Sequence, residues 1–149
     1  MAYSGLANKG VIYQPQFIQP EDEKSFEPKK VAEIQLSDNK AWEKMEQALV
    51  DVISARNGTA HKVFDANSVV IAGKTGTAQI KSILPGKEYD AIRENPALRD
   101  HALFVGYGPV KDPKLVVAVI IENGESGSEV AAPIVKSAIN FFTGGFDAE

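Results

Sequence analysis

The chain has 149 residues, 44% hydrophobic and 24% charged, which is the composition of a folded domain with one core and excludes disorder throughout. Twenty acids against sixteen bases, without a long run of either sign, give a net charge of −4 and exclude an extended nucleic-acid surface; no Cys and only His61 and His101 exclude disulfides, thiolate metal sites and a His-based metal cluster. No apolar run reaches the roughly 20 residues that cross a bilayer, and no basic segment followed by an apolar stretch opens the chain, so neither an anchor nor a signal peptide is visible.

Residues 2–10 read as the end of a helix, with Tyr3, Leu6 and Ala7 on one face and Asn8, Lys9 and Gly10 as its stop. No polar residue precedes this helix to satisfy its first N–H groups, so the chain is expected to be a piece of a longer protein. Residues 11–18 are β-branched and aromatic but interrupted by Pro15, which fits an edge strand, and residues 19–30 are polar and Pro-bounded, hence loop. Over residues 40–56, Trp42, Met45, Leu49, Val52 and Ile53 form one helical stripe, with Ser37 or Asp38 as cap and Asn57-Gly58 as stop.

Residues 69–80 read as a strand with Thr75 and Thr77 at alternate positions. Residues 81–99 carry Pro85-Gly86 and Pro96, show no clear period, and are expected to form a mobile loop near the site. Residues 103–107 and 115–122 form a hairpin turning at Asp112-Pro113. The unbroken run Leu115-Val116-Val117-Ala118-Val119-Ile120-Ile121 predicts a central strand covered on both faces. Residues 130–142 show helical spacing, with Pro133 in the first turns and Gly144-Gly145 as the stop. The whole reads as an α+β fold, an antiparallel sheet flanked by helices.

The informative string is Ala72-Gly73-Lys74-Thr75-Gly76-Thr77-Ala78-Gln79. At average residue usage Lys-Thr-Gly arises about once in a few thousand positions, but Lys-Thr-Gly-Thr-Ala on the order of once in a million. Acyl transfer explains the grouping. A cation and two hydroxyls can hold a carboxylate, and a strand N–H pointing into a cleft can stabilise the oxyanion of a tetrahedral intermediate. By alternation Lys74, Gly76 and Ala78 face one way and Thr75, Thr77 and Gln79 the other, while Gly76 removes a side chain where a ligand backbone must approach.

The string resembles the third motif of the serine β-lactamase and penicillin-binding protein superfamily. Gly58-Thr59-Ala60, the stretch from His101 through Pro109, Glu122-Asn123-Gly124, Ala131-Ala132-Pro133-Ile134-Val135 and the first ten residues are similar to class B penicillin-binding proteins, most of all the penicillin-binding protein 2 group. The resemblance implies that residues 1–149 are the C-terminal part of a single transpeptidase domain, whose parent cross-links peptidoglycan at the extracytoplasmic face of the membrane. The implied partners are peptidoglycan stem peptides and their lipid-linked precursor, β-lactam antibiotics and a glycan-polymerising elongation partner. It further implies electrostatic catalysis by Lys74, substrate binding by Thr75, Gly76 and Thr77, and an oxyanion-hole N–H from Thr77. No cofactor is implied. The family's Ser-x-x-Lys and Ser-x-Asn motifs normally precede this region. Ser37-Asp38-Asn39-Lys40 fits both on paper, yet two motifs that converge from separate segments cannot share four residues; this tetrapeptide reads as a helix cap, and no nucleophile is expected in the chain.

Two other readings compete. A phosphate-binding loop ending in Gly73-Lys74-Thr75 requires Gly where Ser68 stands, and a strand-like Val69-Val70-Ile71 replaces its glycine-rich cradle. A non-catalytic binding module would leave Lys74 a solvated strand lysine. Among single polar residues, Ser126 and Ser128 read as loop or cap residues, His101 as a loop-to-strand hydrogen-bonding group and Glu122 as a turn residue.

Overall fold

The computed structural model describes residues 1–17, 27–38, 40–64, 69–80 and 95–144. Along the chain lie α1 (Ala2–Ala7), β1 (Val11–Tyr13), β2 (Lys30–Glu33), α2 (Lys40–Ser54), β3 (Ala72–Ala78), β4 (His101–Gly108), β5 (Leu115–Ile121) and α3 (Ala132–Phe142). A short 3₁₀ turn, Pro96–Leu98, leads into β4, and a π-helical turn, Gly127–Ala131, leads into α3. The fold is α+β, with β3, β4 and β5 in an antiparallel sheet and β1 and β2 in a separate antiparallel pair.

Register sorts the sheet's side chains onto two faces. Ala72 stands opposite Tyr107 and Gly73 opposite Gly106, so even-numbered residues of β3 share a face with odd-numbered residues of β4. One face carries Ala72 and Tyr107 against Ala7 of α1 and Leu49 of α2. The other carries Phe104 against Val135 and Ile139 of α3, with Ile71 and Phe64 closing the core and the Phe64 and Phe104 rings 5.8 Å apart. Gly73 makes this second face possible. A Cβ there would lie 2.8 Å from the Phe104 ring and 2.9 Å from the Val105 carbonyl oxygen, so the ring occupies the space a side chain would need.

Helix α2 is capped by Asp38, whose Oδ1 accepts from the Lys40 N–H at 2.9 Å. Its stripe is buried only at Leu49 and Ile53; Met45 is 48% exposed. The hairpin of β4 and β5 forms as expected, with a cis Gly108–Pro109 peptide at its turn.

Four expectations change. The central strand is β4, whereas β5 lies at the edge of the described sheet, and Ile120 is 63% exposed. Leu115, Val117, Val119 and Ile121 pack toward α3, but of the opposite face only Val116 joins the core packed by α1 and α2. Apolarity alone did not distinguish a strand covered on both faces from one covered mainly on one. The strand expected over 69–80 spans Ala72–Ala78, with Val70 instead holding the hairpin turn through its carbonyl, which accepts from Val110 N–H at 2.9 Å. Lys30, expected in a loop, begins β2, an exposed strand pinned by its pairing with β1. The last helix begins in a π-helical turn rather than regularly at Val130, because Ser126 and Gly127 set its entry. The loop expected over 19–30 and the loop over 81–99 fall largely outside the described residues.

Two measurements check this packing. Gly73→Ala should cost about 1–3 kcal/mol by overpacking, whereas Gly76→Ala, whose Cβ would meet only Leu103 side-chain atoms at 3.2 Å and beyond, should cost clearly less in thermal unfolding. Equal losses would contradict the close approach of Phe104. Burial pushes the Tyr107 phenol up to about 12, with Glu46 and Tyr3 adding to the shift. Between pH 10 and 12 the unfolded chain therefore loses a proton that the folded one keeps, and stability should fall by up to about 1.4 kcal/mol per pH unit. Tyr107→Phe should flatten that alkaline limb.

Candidate active site

Thr75 and Thr77 stand opposite Phe104 and Ala102, which places both hydroxyl-bearing side chains on the α3 face of the sheet. That face is walled by two connections. The first follows α2. Gly58 turns so tightly that a Cβ would overlap the Asp51 and Val52 carbonyl oxygens, and Ala60 N–H returns to the Val52 carbonyl at 3.0 Å. The turn carries Thr59 to Thr75, their Oγ1 atoms 3.2 Å apart. Lys136 of α3 fastens the far end of the turn, donating to the Val63 carbonyl at 2.9 Å.

The second wall is the segment 122–129 between β5 and α3. Asn123 N–H donates to His101 Nδ1 at 3.0 Å and its Nδ2 to the Arg99 carbonyl at 3.0 Å, so the expected hydrogen-bonding role of His101 holds. Asn123 and Glu125 both sit at positive φ, 56° and 66°, a conformation that costs non-glycine residues about 1 kcal/mol or more. It is held by Glu125 N–H on the Asp100 carbonyl at 2.8 Å and by Arg99 Nε, 3.9 Å from the Glu125 carboxylate. Gly127 then lies so close to the sheet that a Cβ would overlap the Leu103 carbonyl oxygen and come within 2.9 Å of the Gly76 carbonyl oxygen. Ser126 caps the π-helical turn, its Oγ accepting from Glu129 N–H at 3.3 Å and lying 3.3 Å from Ser128 Oγ.

Between these walls runs a groove of about 520 Å³, lined by Thr59, Thr75, Thr77 and residues 124–129. Lys74 faces the opposite side by alternation, yet its exposed side chain bends back onto its neighbour Thr75. Its Nζ donates to the Thr75 carbonyl at 3.0 Å and reaches Thr75 Oγ1 at 3.3 Å. Of the sequence-derived set, Thr75 and Thr77 line the groove and Lys74 reaches one of its hydroxyls. Gly76 lies in the strand between them. A cation beside neighbouring hydroxyls can hold a carboxylate through charge-assisted hydrogen bonds. No group of three or more His, Cys, Asp or Glu side chains among the described residues could hold a metal ion.

The groove also takes in residues that sequence reasoning left aside. Ser126 and Ser128 are cap residues, as expected, but they and Glu129 line the groove as well. Thr59 was visible only as part of Gly58-Thr59-Ala60. Its placement depends on the turn after α2 folding back onto β3, which no local pattern announces.

The family model for the penicillin binding protein transpeptidase domain matches residues 1–140. The chain is 39% identical over 102 residues to the peptidoglycan D,D-transpeptidase MrdA of Haemophilus influenzae and 41% identical over 101 residues to that of Acinetobacter baumannii, in each case 68% of the chain. It spans only 16% and 14% of those relatives' lengths. Among solved structures, Pseudomonas aeruginosa PBP2 in complex with WCK 5153 superposes with a TM-score of 0.69 at 36% identity, over 93% of this chain and 28% of the other. Helicobacter pylori PBP2 in complex with MreC gives 0.70 at 25% identity, over 97% and 24%. With the family model matching residues 1–140, the chain that carries the Lys-Thr-Gly-Thr strand and its hydroxyl-lined groove belongs to the penicillin-binding protein transpeptidase family.

Proposed function

We infer that the chain is the C-terminal part of a single transpeptidase domain in a serine-type peptidoglycan D,D-transpeptidase of the elongation group. The observation that carries this reading is that Thr75 and Thr77 line one groove while Lys74 Nζ lies 3.3 Å from Thr75 Oγ1. In this reading Thr75 and Thr77 hold the terminal carboxylate of a D-alanyl-D-alanine stem peptide or the carboxylate of a β-lactam. Lys74 supplies positive charge beside them, and Thr77 N–H contributes to the oxyanion hole.

The reaction needs a serine from a segment outside these residues. Its oxygen adds to the penultimate carbonyl carbon, and the bond from that carbon to the terminal D-alanine nitrogen breaks as the departing amine takes the serine's proton. An amine of a second stem peptide then attacks the ester. The new C–N bond forms, the C–O bond breaks and the proton returns to the serine oxygen. A Lys74 cation adjoining the carboxylate clamp favours the charge-bearing transition states of both steps. Such chemistry requires access to peptidoglycan, hence the extracytoplasmic face of the membrane, a glycan-polymerising partner and lipid-linked precursor. The complex formed by a relative with MreC supports assembly within elongation machinery.

In the full-length protein, Lys74→Ala should slow acylation by labelled penicillin at least about a hundredfold while leaving the melting temperature nearly unchanged, because the exposed ammonium serves the transition state rather than the core. Equal acylation rates would refute its role. The 149-residue chain alone, incubated with excess labelled penicillin, should show no stoichiometric mass increase, since Ser37 lies in the sequence leading into α2 and is absent from the lining of the groove. An adduct mapping to any of its serines would overturn the assignment of the nucleophile to another segment.

A further inference from the structure

The groove does not end at Thr59. A second lobe of about 340 Å³ adjoins it, sharing Thr59, Ser128 and Glu129 with the first and adding Arg56, His61 and Lys62. The two lobes therefore meet along a common wall. We propose that this second lobe is the binding site for the acceptor stem peptide, with Arg56 and Lys62 holding its carboxylates; the inference rests on the transpeptidase reading above.

Direction follows from the carboxylate clamp. If Thr75 and Thr77 hold the donor's terminal carboxylate, they mark the leaving-group end of the donor. Thr59 Oγ1 is 3.2 Å from Thr75 Oγ1, so the second lobe, which Thr59 also lines, adjoins that leaving-group end. The second amine must reach the same carbonyl carbon, and it replaces the departing one in a closely related exchange of one amide for another. It therefore enters along the path the leaving amine vacates. Room for the rest of the acceptor is needed beyond the clamp, and the second lobe supplies it.

Charge fits the same occupant. Arg56 and Lys62 are exposed, and neither they nor His61 form an ion pair with any described residue, whereas Lys136 nearby is committed to the Val63 carbonyl. The acid shared by the two lobes, Glu129, stands at their junction, close to where an incoming ammonium must pass. An acceptor with an amine leading and carboxylates trailing meets an acid first and bases behind it. An uncharged ligand would leave both unexploited.

The turn carrying the basic residues is firmly built. Gly58 N–H donates to the Ala55 carbonyl at 2.7 Å, Ala60 N–H to that of Val52, and Ala60 and Phe64 are buried beneath it. The exposed ends of Arg56 and Lys62 can therefore be altered without entering the core.

The test uses the full-length enzyme and separates its two half-reactions. In the double variant Arg56→Glu, Lys62→Glu, acylation by labelled penicillin should stay within about twofold of the unaltered protein, because the donor lobe is untouched. Cross-linking to a stem-peptide acceptor with free carboxylates should show KM raised roughly tenfold or more, with kcat much less affected. An acceptor whose carboxylates are amidated should lose far less. Arg56→Ala, Lys62→Ala should give the same pattern, weakened, and guards against damage from the introduced acids. Normal acylation with an unchanged acceptor KM would overturn this inference alone, as would an equal loss with the amidated acceptor. Failure of the unaltered enzyme to acylate would overturn the transpeptidase reading and this inference with it.

Discussion

The site depends on one close approach, that of Gly127 to the carbonyl oxygens of Gly76 and Leu103. Backbone packed on backbone at that range leaves no room for a Cβ, and it fixes the start of the π-helical turn against the strand that carries Lys74, Thr75 and Thr77. Everything else in the groove wall is referred to that point. Ser126 caps the turn immediately before it, Ser128 and Glu129 follow immediately after, and the positive-φ residues Asn123 and Glu125 bring the chain from β5 to reach it. Strain at Asn123 and Glu125 is tolerable because His101, Arg99 and Asp100, all at the entrance to β4, hold the same segment through hydrogen bonds or charge.

The functional strand draws its position from both cores at once. Ala72 and Gly73, fully packed, anchor its beginning between Tyr107 on one face and Phe104 on the other; from Lys74 onward the side chains emerge toward solvent. Burial thus falls along a single strand, from rigid to accessible, within a few residues. A rigid root with an exposed tip is what a binding strand requires, since hydroxyl positions must be held while remaining reachable. Lys74 adds to this by folding its ammonium back onto Thr75, so a side chain assigned by alternation to one face reaches a hydroxyl of the other.

How much of this was legible in the sequence depends on how local each cause is. The helix carrying Leu49 and Ile53, the hairpin and the Lys-Thr-Gly-Thr strand follow from periodicity and turn residues that stand next to one another in the chain. The rank of β5 within the sheet did not follow, because seven apolar residues in a row look the same whether a second layer covers them or leaves Ile120 exposed. Strand β2 was missed for the complementary reason: its residues are all exposed, and only pairing with β1 holds them extended. In the site, Thr75 and Thr77 were found because they share a motif. Thr59 and Glu129 lie 16 and 54 residues from Thr75, joined to it by turns whose geometry rests on Gly58 and Gly127. Those glycines were visible as letters, but the atoms they had to clear were not.

Two lobes that meet at Thr59 also separate two demands on one cleft. On the proposed transpeptidase reading, a β-lactam needs only a carboxylate clamp and oxyanion donors, all on the Thr75 and Thr77 side. Cross-linking needs those groups and, on the two-lobed reading, the basic lobe as well. Substitutions at Arg56, His61 or Lys62 would then change which acceptors are joined, or how fast, while leaving capture by a β-lactam in place. On the same reading, substitutions around Thr75, Thr77 or Gly127 would act on the element common to both reactions. On that reading the basic lobe would be freer to vary than the strand beside it, because exposed side chains on a well-built turn can change with little effect on packing. Thr75 and Thr77 have no such freedom: their hydroxyls are positioned by the same strand whose first residues close both cores.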